Sequence, residues 1–210
     1  MLEFFRGRAT LNLRGVTLGT SSFSEYLKFA ESELQLPKGV IVDLPNEDHW
    51  TFIIKISAMV ERSLNHILTQ HLKEESLKEL VIKQSLGAKV DLALGQKLIE
   101  GDDQKKLKMM ARLRNKAAHH ILFDFDEVFK EADFWTQYKS AFANVWNDPV
   151  VVGGNSVPND TFIRENPRPT IFFGVIDCLA IAKIEADTQK LTKEAANIID
   201  VLTSFKATKK

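Results

Sequence analysis

Between Asn46 and Leu72 the residues Ile53, Ile56, Val60, Leu64, Ile67 and Leu68 recur at spacings of three and four. Side chains so spaced share one face of an α-helix, and that face needs other helices or a sheet to cover it. Asn46-Glu47-Asp48 supplies a cap and negative charge for the first turn. The same reasoning predicts a shorter helix over 75–84 and another over 85–100 that ends at Gly101. Asp102-Asp103 then opens a helix to about His120, with Leu107, Met110, Ala111, Ala117 and Ala118 on one stripe. An acidic helical piece is expected from Asp124 through Phe134 and Tyr138 to Trp146. Residues 170–186 and 188–205 read as two amphipathic helices or one bent helix, and Lys206–Lys210 is expected to fray. No segment rivals these helices in periodicity, so the expected fold is an all-α bundle with irregular additions.

Those additions are marked by prolines and glycines. Leu11 to Leu18 alternates briefly, punctuated by Gly15 and Gly19, which suggests a short strand or extended arm, with no obvious strand partner downstream. Ser22 or Ser24 is placed to cap a helix to about Leu34, which stops before Pro37. Lys38 to Pro45 is β-branched and bounded by prolines, and reads as extended linker or a lone strand. Asn147 to Pro169 holds Pro149, Gly153-Gly154, Pro158, Pro167 and Pro169, which makes it one long loop or hairpin. The expected organisation is an N-terminal arm and short helix over 1–45, then a helical domain over 46–210.

Composition removes several function classes. The chain has 28 basic and 28 acidic residues, so it does not grip nucleic acid by bulk positive charge. The lone Cys178 excludes an intramolecular disulfide and a Cys-rich zinc site, and no metal or cofactor is expected. No stretch approaches the roughly 20 apolar residues needed to cross a bilayer. Met1 to Arg8 lacks the apolar core and cleavage site of a secretory signal, so cytoplasmic residence is the expectation.

The unusual segment is 104–120, with Lys105, Lys106, Lys108, Arg112, Arg114 and Lys116 and no acid. On a helical wheel Lys108, Arg112, Asn115 and His119 form one polar face, whereas Arg114 falls on the apolar stripe. An unpaired guanidinium out of water is costly, so a partner is expected. Glu61 is the first candidate and Asp91 the second, and a structural ion pair inside the bundle would account for Arg114 equally well. Asn115 and His119, at i and i+4, lie on one face. In isolation such a pair is more often structural. Beside a semi-buried Arg in a basic segment it suits a phosphate: Arg binds two oxygens, Asn adds hydrogen bonds, and His moves protons near neutral pH.

The string Arg112-Leu-Arg-Asn-Lys-Ala-Ala-His-His120 resembles the Arg-Asn-x-x-x-His signature of the HEPN superfamily (higher eukaryotes and prokaryotes nucleotide-binding domains). Gly87 to Ile99, Met59 to Leu68 and Arg168-Pro-Thr-Ile-Phe-Phe173 are similar to segments of its mannitol operon repressor branch, so the resemblance covers about 50–205. It implies an antiparallel helical bundle that often forms a homodimer, with motifs from two subunits facing one cleft. In nuclease members the motif cuts RNA without metal, the His assisting proton transfer and the Arg stabilising the crowded phosphate. Carried to this chain, Arg114 and His119 are the catalytic candidates, Asn115 binds or orients phosphate, and Glu61 tunes the Arg. Arg112, Lys108 and His120 complete the candidate binding set. Arg114 and His119 stand about 140° apart on a straight helix, so both reach one cleft only if the helix ends or loosens near Ala117. Many superfamily members have lost activity, and the repressor branch is regulatory. Two expectations follow: a metal-independent endoribonuclease of the toxin or defence type acting on RNA, or a non-enzymatic transcriptional regulator working through a protein partner.

Other signals are structural. His66 and His71, at i and i+5, do not share a metal. The acids Asp124, Asp126, Glu127, Glu131 and Asp133 lack the glycine-punctuated spacing of a calcium loop and read as a solvated face. Gly153-Gly154-Asn lacks the Lys-Ser/Thr of a phosphate-binding loop. Phe123, Phe125, Phe129 and Phe134 read as core, and Cys178 lies in an apolar helix where a thiol is inert.

Overall fold

The computed structural model describes residues 11–13, 16–18, 25, 28, 30–32, 34, 36–72, 74–146, 149–152 and 155–207, with 11–13, 16–18, 42, 45, 152 and 200–207 as backbone only. The helix that the 46–72 pattern demands is α2, His49–His71, preceded by β1 (Leu11–Leu13), β2 (Val16–Leu18) and α1 (Val40–Asp43). It starts later than Asn46 because a 3-10 turn, Leu44–Asn46, carries Pro45, and Asp48 becomes the cap, accepting from Thr51 N at 2.9 Å. Its apolar stripe is buried against α9 (Pro167–Ala207), α5 (Gly101–His119) and α4 (Leu86–Gly95). Between them lie α3 (Glu75–Ile82), α6 (Phe125–Val128), α7 (Ala132–Phe142), the hairpin β3 (Val150–Val152) and β4 (Asn155–Val157), and α8 (Asn159–Glu165). The architecture is the all-α bundle the periodicity requires, with two small hairpins.

Several boundaries differ from the sequence reading. Residues 38–45 are not extended: the carboxylate of the buried Glu31 accepts from Gly39 N and Ile41 N, both at 3.0 Å, and holds α1 while Ile41 and Leu44 enter the core. The partner of β1 is its own continuation, with Leu11 opposite Leu18 and Leu13 opposite Val16. The expected helix cap at Ser22 or Ser24 lies outside the described residues. α4 stops at Gly95 rather than near Gly101, because Lys97 adopts φ +58°, a left-handed turn. Leu98 N then donates to Ala93 O and Lys97 N to Leu94 O, each at 2.9 Å, which satisfies the last carbonyls of α4.

The acidic piece is two helices, α6 and α7, broken at 129–131, and their aromatic residues form a continuous chain. Phe125, Phe129, Tyr138 and Phe142 have successive ring centroids 4.6 to 5.8 Å apart. Phe123, Phe125, Phe129 and Phe134 are all buried, as expected. Residues 147–169 contain the anticipated hairpin, and also α8, whose Phe162 and Ile163 reach the core. The two C-terminal helices are one: α9 runs 41 residues, with Pro167 and Pro169 in the first turn where their missing N–H groups cost nothing. At Gly174 a Cβ would meet Val145 at 2.9 Å, so glycine sets the close approach of α9 to the end of α7.

Candidate functional site

α5 begins with Glu100 and Asp103 capping each other's backbone, and Asp103 is buried with Lys106 at 3.5 Å. Cys178, also buried, donates its thiol to Asp103 at 3.3 Å, and burial pushes that thiol well above its usual range. This pole of the helix is structural. Chemistry, if any, belongs to its other end.

There the structure corrects the reading of Arg114. Leu107, Met110, Leu113 and Ala117 are buried, whereas Arg114 and Ala118 are exposed and Ala111 is only half-buried. α4 covers the first half of the stripe, where Asp91 reaches Gln104 and Lys108, each at 2.7 Å; Arg114 lies beyond it. Neither nominated acid is its partner. Glu61 takes Lys89 at 2.7 Å, a lysine with no exposed surface, and the hydrogen bonds from Lys108 and Gln104 lower the pKa of the Asp91 carboxyl. Among the described residues Arg114 makes no hydrogen bond or ion pair.

The polar face is where the wheel puts it. Lys108, Arg112, Asn115 and His119 are all exposed. Lys108 is engaged by Asp91, and the Arg112 guanidinium lies 5.5 Å from the centre of the Phe134 ring. Lys116 shares that ring at 5.1 Å and is gripped by both oxygens of Glu131 at 2.7 and 2.8 Å.

The helix stays regular through His119, then His120 N donates to Ala117 O and the chain turns extended. His119 and His120 line a cavity of about 580 Å³ with Lys116, Asp124, Glu127 and Glu131. Arg114 and Asn115 do not line it. Among the described residues, the cavity at His119 therefore does not include Arg114, for the angular reason given above.

The loop after α5 forms a wall with a cavity on either side. Ile121 and Leu122 are 83% and 94% exposed, while Phe123 and Phe125 are buried. Beyond the wall, Asp48, His49, Trp50 and Arg168 line a second cavity of about 550 Å³. Trp50 donates its indole N–H to Ala117 O at 2.9 Å, which ties the end of α5 to the first turn of α2. His49 Nδ1 lies 3.3 Å from Asp124 and its ring stands edge-on to Phe125, centroids 4.9 Å apart. Arg168 donates to the carbonyl of Glu47.

Sequence reasoning missed His49, Trp50, Asp124 and Glu131 as site residues. The acidic run is solvated as expected, with Asp126, Glu127, Glu131 and Asp133 exposed, but two members are engaged: Asp124 accepts from Asp126 N at 2.9 Å to cap α6 while contacting His49, and Glu131 turns back to α5. His66 and His71 are half-buried, and among the described residues no group of three or more His, Cys, Asp or Glu is arranged to hold a metal ion. No described helix is long and apolar enough to cross a membrane. No protein-family model matches the chain, and no curated protein and no solved structure matches it.

Proposed function

We propose that the chain is a regulatory interaction module, resembling the mannitol operon repressor branch of the HEPN superfamily, that docks a protein partner at the end of α5. The observation that carries this reading is the charge of the histidine cavity. Three acids, Asp124, Glu127 and Glu131, line it against one lysine; Lys116 pairs with Glu131, Glu127 pairs with Lys130, and Asp124 is the lining acid left without a lysine partner among the described residues. Such a lining repels a phosphate backbone and suits a basic partner segment. Ile121 and Leu122 on its wall give that partner an apolar anchor.

The endoribonuclease is the second reading. It is favoured by Arg114, Asn115 and His119, all exposed and without hydrogen-bond partners among the described residues. It requires a homodimer in which Arg114 of the partner subunit approaches His119, because the two do not share a cavity within one chain.

One experiment separates the readings: total RNA incubated in EDTA with the wild type, Arg114→Ala and His119→Ala. The regulatory reading expects the same intact RNA in all three. Cutting by the wild type that both folded variants lose would replace it with the ribonuclease.

A further inference from the structure

Arg168 stands half-buried in the first turn of α9. Its guanidinium donates to the carbonyl of Glu47, the peptide group that leads into Asp48, and so ties α9 to the start of α2. Among the described residues this is the one hydrogen bond Arg168 makes, which leaves its other N–H groups without a protein acceptor. Asp48 comes next along the chain and caps α2 through Thr51 N. The hydrogen bonds from Thr51 lower the pKa of its carboxyl, which keeps it ionised.

The open cavity of about 550 Å³ on this side of the Ile121–Leu122 wall therefore holds charges of both signs that do not cancel. Among the described residues no ion pair joins Arg168 to Asp48 or to Asp124. Each charge has its own anchor: Glu47 O for the arginine, Thr51 N for Asp48, and Asp126 N with His49 for Asp124. Trp50, Leu122 and Phe123 add apolar lining. A cavity of this size and mixed lining suits a small molecule. The charges narrow its class. Two carboxylates beside one guanidinium disfavour a phosphate, whose negative charges would face them. A neutral apolar ligand would take water from three charged groups and return nothing. A simple amine leaves Arg168 unanswered, and a simple carboxylic acid leaves Asp48 so.

We propose that this cavity binds a free apolar α-amino acid as its zwitterion. The ligand carboxylate takes the N–H groups of Arg168 that Glu47 leaves over, in the two-oxygen geometry a guanidinium favours. The ligand ammonium lies against Asp48, one residue from the peptide group on which Arg168 rests. Asp124, 3.3 Å from His49, adds negative potential that favours the same ammonium. The ligand side chain covers Leu122 and the Trp50 ring, whose indole is already fixed by Ala117 O. Ile121, Leu122, Phe123 and Asp124 line the histidine cavity as well. Binding of a small molecule here needs no protein partner, so the inference stands independently of the docking reading.

The test is saturation-transfer NMR of the full chain with L-leucine, L-methionine and L-phenylalanine as probes, each up to about 10 mM. At least one is expected to give a saturable signal. Its N-acetyl derivative, which lacks the ammonium, and its amide, which lacks the carboxylate, are each expected to bind about tenfold more weakly or not at all. Arg168→Gln and Asp48→Asn, the second of which retains a helix cap, are expected to weaken the free amino acid by a similar factor with helical circular dichroism kept. Glu127→Gln, which lines the histidine cavity alone, is expected to bind as the wild type does. Should Arg168→Gln fail to fold, the three ligand forms on the wild type decide the matter. No saturable binding by any probe, equal binding of the blocked forms, or binding that a folded Arg168→Gln leaves intact would each overturn the proposal. None of these outcomes depends on RNA or on another protein.

Discussion

The two ends of α2 are built on opposite principles. At the Trp50 end, buried rings lie under a polar surface broken by Ile121 and Leu122: Phe123, Phe125 and Phe129 are covered, His49 stands edge-on to Phe125 and contacts Asp124, and Trp50 is tied to Ala117 O. At the His71 end the projecting half of α9 shows aliphatic side chains to solvent. Ile121 and Leu122 apart, the first end has already gained its hydrophobic free energy and presents polar groups in a defined geometry. The second has that gain still to make. The packed end therefore offers polar groups in fixed positions beside a small apolar loop, and the projecting end offers aliphatic area alone.

Truncation is the most direct way to break the contrast. Phe125→Ala removes a ring that supports His49 and packs between Phe123 and Phe129, and is expected to cost roughly 3–5 kcal/mol in urea unfolding, as for other buried aromatics. A cost below about 1 kcal/mol would mean the packed end is not packed.

An intermediate effect is expected at the junction, where His71 sits. Burial, then the charge of Lys193, holds its pKa below 6.5, against a hydrogen bond with Gln96 that raises it. The unfolded chain thus binds this proton more readily than the folded one. Stability from this site is full above pH 6.5 and falls as acid takes the pH through the lower folded value. His71→Gln is expected to flatten part of the acid-side loss of the urea midpoint; parallel pH profiles for the two proteins would remove Lys193 from the vicinity of His71.

The smallest effect sharpens the comparison from the other side. Leu191→Ala, the removal of a comparable amount of apolar side chain, is expected to change unfolding by no more than about 0.5 kcal/mol. A loss of core size there would mean that Leu191 is covered within its own chain.

How much of this was readable in the residues follows the same division. α2 was legible because its apolar spacing and the Asp48 cap agree, and the 147–169 hairpin because prolines and glycines punctuate it. The polar face of α5 was legible from angle alone. The neighbour of Arg114 was not, since angle says nothing of how far along a helix its neighbour reaches, and α4 stops short. Glu61 was singled out as the partner of Arg114, but the cation it pairs with is Lys89, a pairing set by how α2 and α4 lie against each other. The acidic wall of the cavity was hidden for a related reason: Asp124 and Glu131 stand at the N-caps of two separate helices, α6 and α7, where Asp124 meets His49 of α2 and Glu131 meets Lys116 of α5, which a continuous-helix reading spreads into solvent.

The bond from the Trp50 indole to Ala117 O has an optical consequence. An indole's emission follows the polarity and hydrogen bonding around it, and this half-buried ring sits between the last turn of α5 and the loop that walls both cavities. Trp135 and Trp146 belong to the aromatic interior farther along the chain. The molecule thus carries its own fluorophore at the place where a docked partner would press, and occupancy of that end can be followed in solution without attaching any dye.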